Sequence, residues 1–270
     1  MPRIWWCPTG PLTFLPIHAA GIYHQGKGVR GKCLSDFAVS SYIPTVPVLE
    51  ALNSAKGRHV APTGLLLIGQ PKTPRKQEIP FAREEVEKIQ KQFGMRGIPH
   101  FTLIDATATV SRVLESMERF SCIHLACHAS QHPGAPLQSS IHLDDGPLQL
   151  SEIMKKNLHN ADFSFLSACQ TSMGDTNLSE EVVHLASAML AAGYRSVVGT
   201  MWSVFDEHGP DVAESFYRVM LEDATNEGGQ RVDGRRAARA LHHTTKELRE
   251  KIPGSPYSFL AWVPYVHIGI

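Results

Sequence analysis

Two side chains capable of covalent chemistry stand at the ends of two apolar runs. "CIHLACHAS" (122–130) carries Cys127 and His128 where its apolar stretch stops, and "FSFLSAC" (163–169) ends on Cys169. A thiolate is a strong nucleophile, but a free thiol has a pKa near 8.5 and is little ionised at neutral pH. An imidazole beside it raises the ionised fraction and can protonate a leaving amine. If both runs are neighbouring parallel strands, about 5 Å apart, His128 and Cys169 arrive side by side as a Cys-His dyad. The small polar residues that follow, "QTSMGD", form a loop able to offer backbone N–H groups to a developing oxyanion.

Neighbouring candidates read differently. Cys122 and Cys127 are expected to be interior thiols, since cysteine is commonly buried as a small apolar side chain. His124 alternates with its neighbours along a strand and reads as a hydrogen-bonded core histidine. The spacing of His124, Cys127, His128 and His132 would suit a metal only on a helix; this segment reads as strand, so no metal is expected, and no cofactor. "GTMWSVFDEHGPD" places Trp202 and Asp206 just after a strand, at the same sheet edge. They could line a substrate pocket, and Asp206 or Asp211 could equally open the next helix as its N-cap. Glu180 and Glu181 read as partners of a helix dipole, "LDDG" (143–146) as a hairpin turn, and "GRRAARALHH" as a solvated helix face.

The elements that must position these residues alternate between short β-rich runs and helical patterns, the signature of a mostly parallel sheet with helices on its faces. "GLLLIGQ" (64–70) reads as a buried strand, "FAREEVEKIQKQF" (81–93) as an amphipathic helix and "HFTLID" as a strand. A helix capped by Thr107 or Thr109 leads into "CIHLAC". Downstream, "DFSFLSAC" is a strand, "LSEEVVHLASAMLAAG" a helix capped by Ser179, and "YRSVVGTMW" a strand. Helices follow near 211–221 and 233–251, separated by the polar loop "EDATNEGGQ". "FLAWVPYVHIGI" reads as a final strand interrupted at Pro264, which suggests a sheet edge or a bulge. Near the start, "SSYIPTVPVLEALNSAK" reads as a strand end, a turn and a helix, and "YHQGKGVRGKC" as a loop. "QPKTPRKQEIP" looks like a linker near residue 75 between an N-terminal subdomain (1–75) and a catalytic part (76–270) of one domain.

Bulk properties set the frame. The chain has 270 residues, 43% of them hydrophobic, enough for a sizeable core. Twenty-six basic residues balance 26 acidic ones, so no net field favours nucleic acid or an anionic membrane. The five cysteines are irregularly scattered, as in a reduced, cytoplasmic protein, and no signal peptide or membrane span is visible.

With these residues in view, the chain resembles the CHAT family, caspase-like peptidase domains related to separase and often attached to tetratricopeptide repeats. The matching stretches are "WWCPTGPLTFLPIHAAGIY", "SSYIPT", "CIHLACHAS", "PLQSSIHLDDGPLQLSEI", "FLSACQTSMGD", "EEVVHLASAMLAAGYRSVVGTMWSVFD" and "WVPYVHIGI". Histidine before cysteine, each at a strand end, is also the caspase-type order. The resemblance implies a caspase-hemoglobinase fold, a mostly parallel sheet sandwiched between helices. It further implies a His128–Cys169 dyad, hydrolysis of a protein or peptide substrate through a thioester in a signalling or cell-death setting, and upstream repeat or NTPase modules as sensors. The backbone N–H groups of Ala129 and Cys169 would form the oxyanion hole. The family usually has glycine after the histidine, and here alanine stands there. The readings to separate are therefore a cysteine endopeptidase, a non-catalytic interaction module on the same fold, and another thiol hydrolase such as an amidase. One expected self-cleavage site is "EDATNEGGQRVDGRR".

Overall fold

The computed structural model describes residues 1–23, 32–54, 61, 63–130, 132, 135–156, 158–167, 181–202, 204, 206–222, 232–251 and 258–270. Cys169, Ser179, Glu180, the loop 24–31 and residues 223–231 of the expected self-cleavage stretch 222–236 lie outside the described residues.

In chain order, β1 (Arg3–Trp6), β2 (Val39–Tyr42) and α1 (Val46–Ser54) come first, followed by β3 (Leu65–Gly69), α2 (Phe81–Met95), β4 (His100–Ile104), α3 (Val110–Arg119) and β5 (Cys122–Ala126). A small antiparallel sheet of β6 (Ala129–Ser130), β7 (Ser140–His142) and β8 (Pro147–Gln149) leads to α4 (Leu150–Lys155). Then come β9 (Phe163–Ser167), α5 (Glu181–Ala192), β10 (Ser196–Thr200), α6 (Gly209–Glu222), α7 (Ala237–Lys251), α8 (Ser258–Trp262) and β11 (Tyr265–Gly269).

The main sheet runs β1-β2-β11-β10-β9-β5-β3-β4, and every described pairing is parallel except β10 with β11. Central strands of such a sheet are covered on both faces, so they are apolar throughout. β3 shows this: Leu65 and Leu67 pack with α2, α6 and α7, whereas Leu66 and Ile68 pack with α3, α4 and α5. The period of two thus divides one strand between two cores. On the first face Val86, Ile89 and Phe93 of α2 meet Phe216 and Tyr217 of α6; on the second Val113 and Met117 of α3 lie in one cluster with Ile153 and Met189.

The "LDDG" turn joins β7 to β8 as a hairpin, closed by Leu143 N–H to Gly146 O at 2.9 Å. Its Asp145 accepts from the N–H of Val110, so the turn caps α3 while Thr109, at the N-cap position, makes no capping bond with its side chain. The expectation for the C-terminus is corrected. β11 lies inside the sheet, between β2 and β10, and Pro264 precedes it instead of interrupting it. The proline therefore removes no donor from the ladder; its carbonyl accepts from Met201 N–H at 2.8 Å. No described helix is long and apolar enough to cross a membrane.

Candidate active site

β5 and β9 are parallel neighbours in the register Cys122 with Phe163 through Ala126 with Ser167. In an open α/β sheet the carboxyl ends of the strands form the natural binding edge, where loops meet helix N-termini. His128 stands two residues beyond Ala126, and Cys169 stands two residues beyond Ser167 in sequence. The described part of the site is therefore built around the histidine.

His128 is fully buried, and its Nε2 lies 2.7 Å from the backbone carbonyl of Gln77. A carbonyl only accepts, so Nε2 carries the hydrogen. In the neutral ring this leaves Nδ1 as the basic nitrogen. The carbonyl of His128 accepts from His142 N–H at 2.8 Å, the first rung of the β6–β7 ladder, in which Ala129 faces Ile141. Antiparallel rungs alternate, so the Ala129 N–H points away from β7. Ala129 is not among the non-glycine residues with positive φ, which are Arg75 and Asp105 among the described residues. Alanine thus occupies the position without conformational strain.

Beside the histidine, Ser130 Oγ is 2.7 Å from His142 Nε2 and 3.2 Å from Ser140 Oγ. Burial pushes the His142 imidazole down to about 4, with Lys76 and His128 acting in the same direction, so this ring is neutral at pH 7.

Because β10 runs parallel to β9, its carboxyl end opens on the same edge. Trp202 lies there, half-buried against the core that α2 and α6 share. Asp206 begins a short 3-10 turn, and its Oδ2 accepts from the N–H of Phe81, the first residue of α2, at 3.2 Å. Burial raises the Asp206 pKa above the ordinary value; the Phe81 N–H opposes this, Glu85 adds to it, and the nearby His128 opposes it. The expected cap role thus exists, but on α2 instead of the helix that follows. The same carboxyl group lies within electrostatic reach of His128.

The Gln77 carbonyl, Glu85 and Tyr217 escaped the sequence reading. The Gln77 carbonyl has no side-chain signature. Glu85, only 3% exposed, has Oε2 3.0 Å from the Ser167 hydroxyl and Oε1 3.1 Å from His124 Nε2. His124 Nδ1 is in turn 3.2 Å from Tyr217 OH, so the interior histidine does have its partner. A signal for Glu85 existed: it falls in phase with Ala82, Val86, Ile89 and Phe93 on the buried stripe of α2. Cys122 and Cys127 are buried.

The model of the CHAT domain family matches residues 1–270. No curated protein matches the sequence. Among solved structures, the Saccharomyces cerevisiae separase–securin complex superposes with a TM-score of 0.56 at 14% identity, over 88% of this chain and 14% of that one. The Arg-specific cysteine proteinase gingipain R superposes with a TM-score of 0.55 at 10% identity, over 86% and 54%. A complex of the pro- and mature domains of the Porphyromonas gingivalis protein RgpB gives 0.55 at 8% identity, over 86% and 55%. This chain thus spans about half of the gingipain chains and a small part of separase. At these identities the likeness is one of fold, the caspase-hemoglobinase type with a mostly parallel sheet between helices.

Proposed function

Because the chain belongs to the CHAT domain family and has the fold of gingipain and separase, we propose that it is a cysteine endopeptidase in which Cys169 is the nucleophile and His128 the general base and acid. The observation that carries this reading is the bond from His128 Nε2–H to the Gln77 carbonyl, which leaves Nδ1 as the base at the sheet edge. Register and parity support the partner. Ala126 pairs with Ser167, and the same register continued two residues past both strand ends would set His128 level with Cys169. Ser167 and His124 both reach Glu85 on the α2 face, and side chains recur on one face every second residue, so Cys169 and His128 would share that face.

The thiol proton passes to His128 Nδ1 as Sγ attacks the substrate carbonyl carbon. The oxyanion forms against the N–H groups of Ala129 and Cys169. The C–N bond then breaks, the leaving amine takes the proton from Nδ1, and a thioester remains. Water attacks the thioester while Nδ1 takes its proton, and the C–S bond breaks to release the acid as that proton passes from Nδ1 to Sγ and regenerates the thiol. Trp202 and Asp206 would border the substrate, a peptide segment of a protein. The interaction-module reading draws on Ala129 and on the missing sensor modules; the absence of positive φ at Ala129 supports the view that alanine is tolerated there.

An electrophilic peptide probe directed at thiols tests the reading. Labelling should vanish in Cys169→Ala and persist in Cys127→Ala, whose thiol is buried in the core. Equal labelling of both variants would refute the assignment.

A further inference from the structure

We propose that Glu85 is a positioning residue for the Cys169–His128 pair, fastening the carboxyl ends of β5 and β9 to α2 and to the start of α6; this rests on the peptidase reading above. The starting point is a carboxyl group where the sequence pattern asks for an apolar side chain. Its companions among the buried residues of α2 are the apolar Ala82, Val86, Ile89 and Phe93 and one other polar residue, Gln92, which is uncharged. Removing a carboxylate from water is costly unless its oxygens find partners.

Both oxygens meet groups that belong to the site's scaffold. Oε2 accepts from Ser167, the last described residue of β9 and two before Cys169. Oε1 lies 3.1 Å from Nε2 of His124, on β5 and four before His128. Burial keeps the Tyr217 phenol protonated, with Cys122 and Glu85 acting in the same direction. It can therefore donate to His124 Nδ1, which leaves the ring hydrogen on Nε2, 3.1 Å from Oε1 in a polar contact that is not an aligned hydrogen bond. The remaining neighbour is the first residue of α6: a Cβ on Gly209 would stand 2.9 Å from Oε2, so this helix begins against the carboxyl group. Asp206, three residues before Gly209, holds the N–H of Phe81 at the start of α2. The two helices therefore clasp each other at two points on the site side of the sheet, and the inner point also grips both strands.

The arrangement explains why a polar group sits here. Apolar packing would bury the same volume without fixing direction, whereas one carboxyl group that accepts a hydrogen bond from Ser167 on β9 and stands in ion-pair range of His124 on β5 ties the two strands together just before both reactive side chains. A displacement of about 1 Å at such a pair can cost about 100-fold in rate.

The test is the inactivation kinetics of the folded full chain with the peptide electrophile, separating maximal rate from apparent affinity, alongside thermal melting. Glu85→Ala should lower the maximal rate of inactivation by about 10- to 100-fold with apparent affinity within about threefold. Ser167→Ala should lower it by several-fold. The double variant should be no slower than Glu85→Ala, because Ser167 acts through the same carboxyl group. Glu85→Gln, which keeps the volume and a partner for Ser167, should restore most of the rate. The pH profile of Cys169 alkylation by iodoacetamide should shift in Glu85→Ala toward that of an unpaired thiol, near 8.5. Lower melting temperatures with wild-type maximal rate and wild-type pH profile would show a structural role only and overturn the proposal; if Glu85→Ala does not fold, Ser167→Ala decides on the same readouts. Wild-type protein that is not labelled at Cys169 would instead overturn the peptidase reading beneath it.

Discussion

At position 129 a methyl group stands where the family usually carries only hydrogen, and what it does to catalysis is decided by one backbone angle. Glycine is strongly favoured where φ is positive. Ala129 lies in β6 opposite Ile141, outside that region, with its N–H turned away from β7. Restoring the family's residue should therefore gain nothing. Ala129→Gly is expected to leave the maximal rate of probe labelling within about twofold of wild type, while lowering stability by roughly 0.5–1 kcal/mol through the extra freedom of the unfolded chain. Labelling kinetics and denaturant unfolding check both halves. A tenfold faster Ala129→Gly would mean that the alanine does distort the oxyanion site. The same scale shows what a sequence can and cannot reveal about a site. The place of His128 just past the end of a strand is legible because a reactive side chain ends an apolar run. The carbonyl that fixes its tautomer, from Gln77, is not, since every residue has one.

Among the elements, the two ends of β9 are held by carboxyl groups with opposite duties. Near the carboxyl end, Glu85 meets the strands that lead to His128 and, in sequence, to Cys169. At the amino end, Asp162 accepts from the Arg195 guanidinium just before β10, with Nε at 3.0 Å, and from Gly234 N–H at 2.8 Å in the turn that leads into α7. Asp162 and Arg195 are 5% and 8% exposed, so removing one partner strands a buried charge. Asp162→Ala is accordingly expected to cost about 3–5 kcal/mol in unfolding free energy, and yet to leave the labelling rate of the remaining folded molecules unchanged, because the pair lies at the sheet edge away from His128. Urea unfolding and labelling at a temperature where the variant is still folded test this. A rate loss as large as that of Glu85→Ala would erase the distinction between the two ends. Most elements were readable because their signals are local. β3 is a continuous apolar run between turn residues, and α2 repeats its apolar positions at helical spacing. Glu85 is hard to read from the amphipathic pattern because its charge suggests the polar side while its phase puts it on the buried one.

Over the whole molecule, the least legible feature is how its two termini interlock. Strand order depends on partners far apart in sequence, and β11 enters between β2 and β10 although nothing within "YVHIGI" names either neighbour. Proline before the run suggested an edge, whereas the pairing that fills the gap is non-local. His18 records the same closure. Its Nε2 donates to the carbonyl of Val263, 245 residues away, and its Nδ1 lies 2.8 Å from Tyr42 OH on β2. The ring is neutral in this arrangement, since one nitrogen donates and the other accepts. Burial lowers the His18 pKa to about 4, only partly offset by the Val263 carbonyl. A folded pKa below the unfolded value of 6.5 means that this stability is fully present above pH 6.5. It is lost as pH falls from there toward 4, roughly 3 kcal/mol in all. His142 and His242, also held near 4 by burial, and His267, held well below its ordinary value, push in the same direction. The unfolding free energy should therefore decline steeply between pH 6.5 and 4. His18→Gln, which keeps an amide able to donate to Val263, should be less stable at pH 7.5 but show a visibly shallower decline. Denaturant unfolding across that range tests this, and parallel curves for the two proteins would mean that the join between the termini does not carry the acid sensitivity.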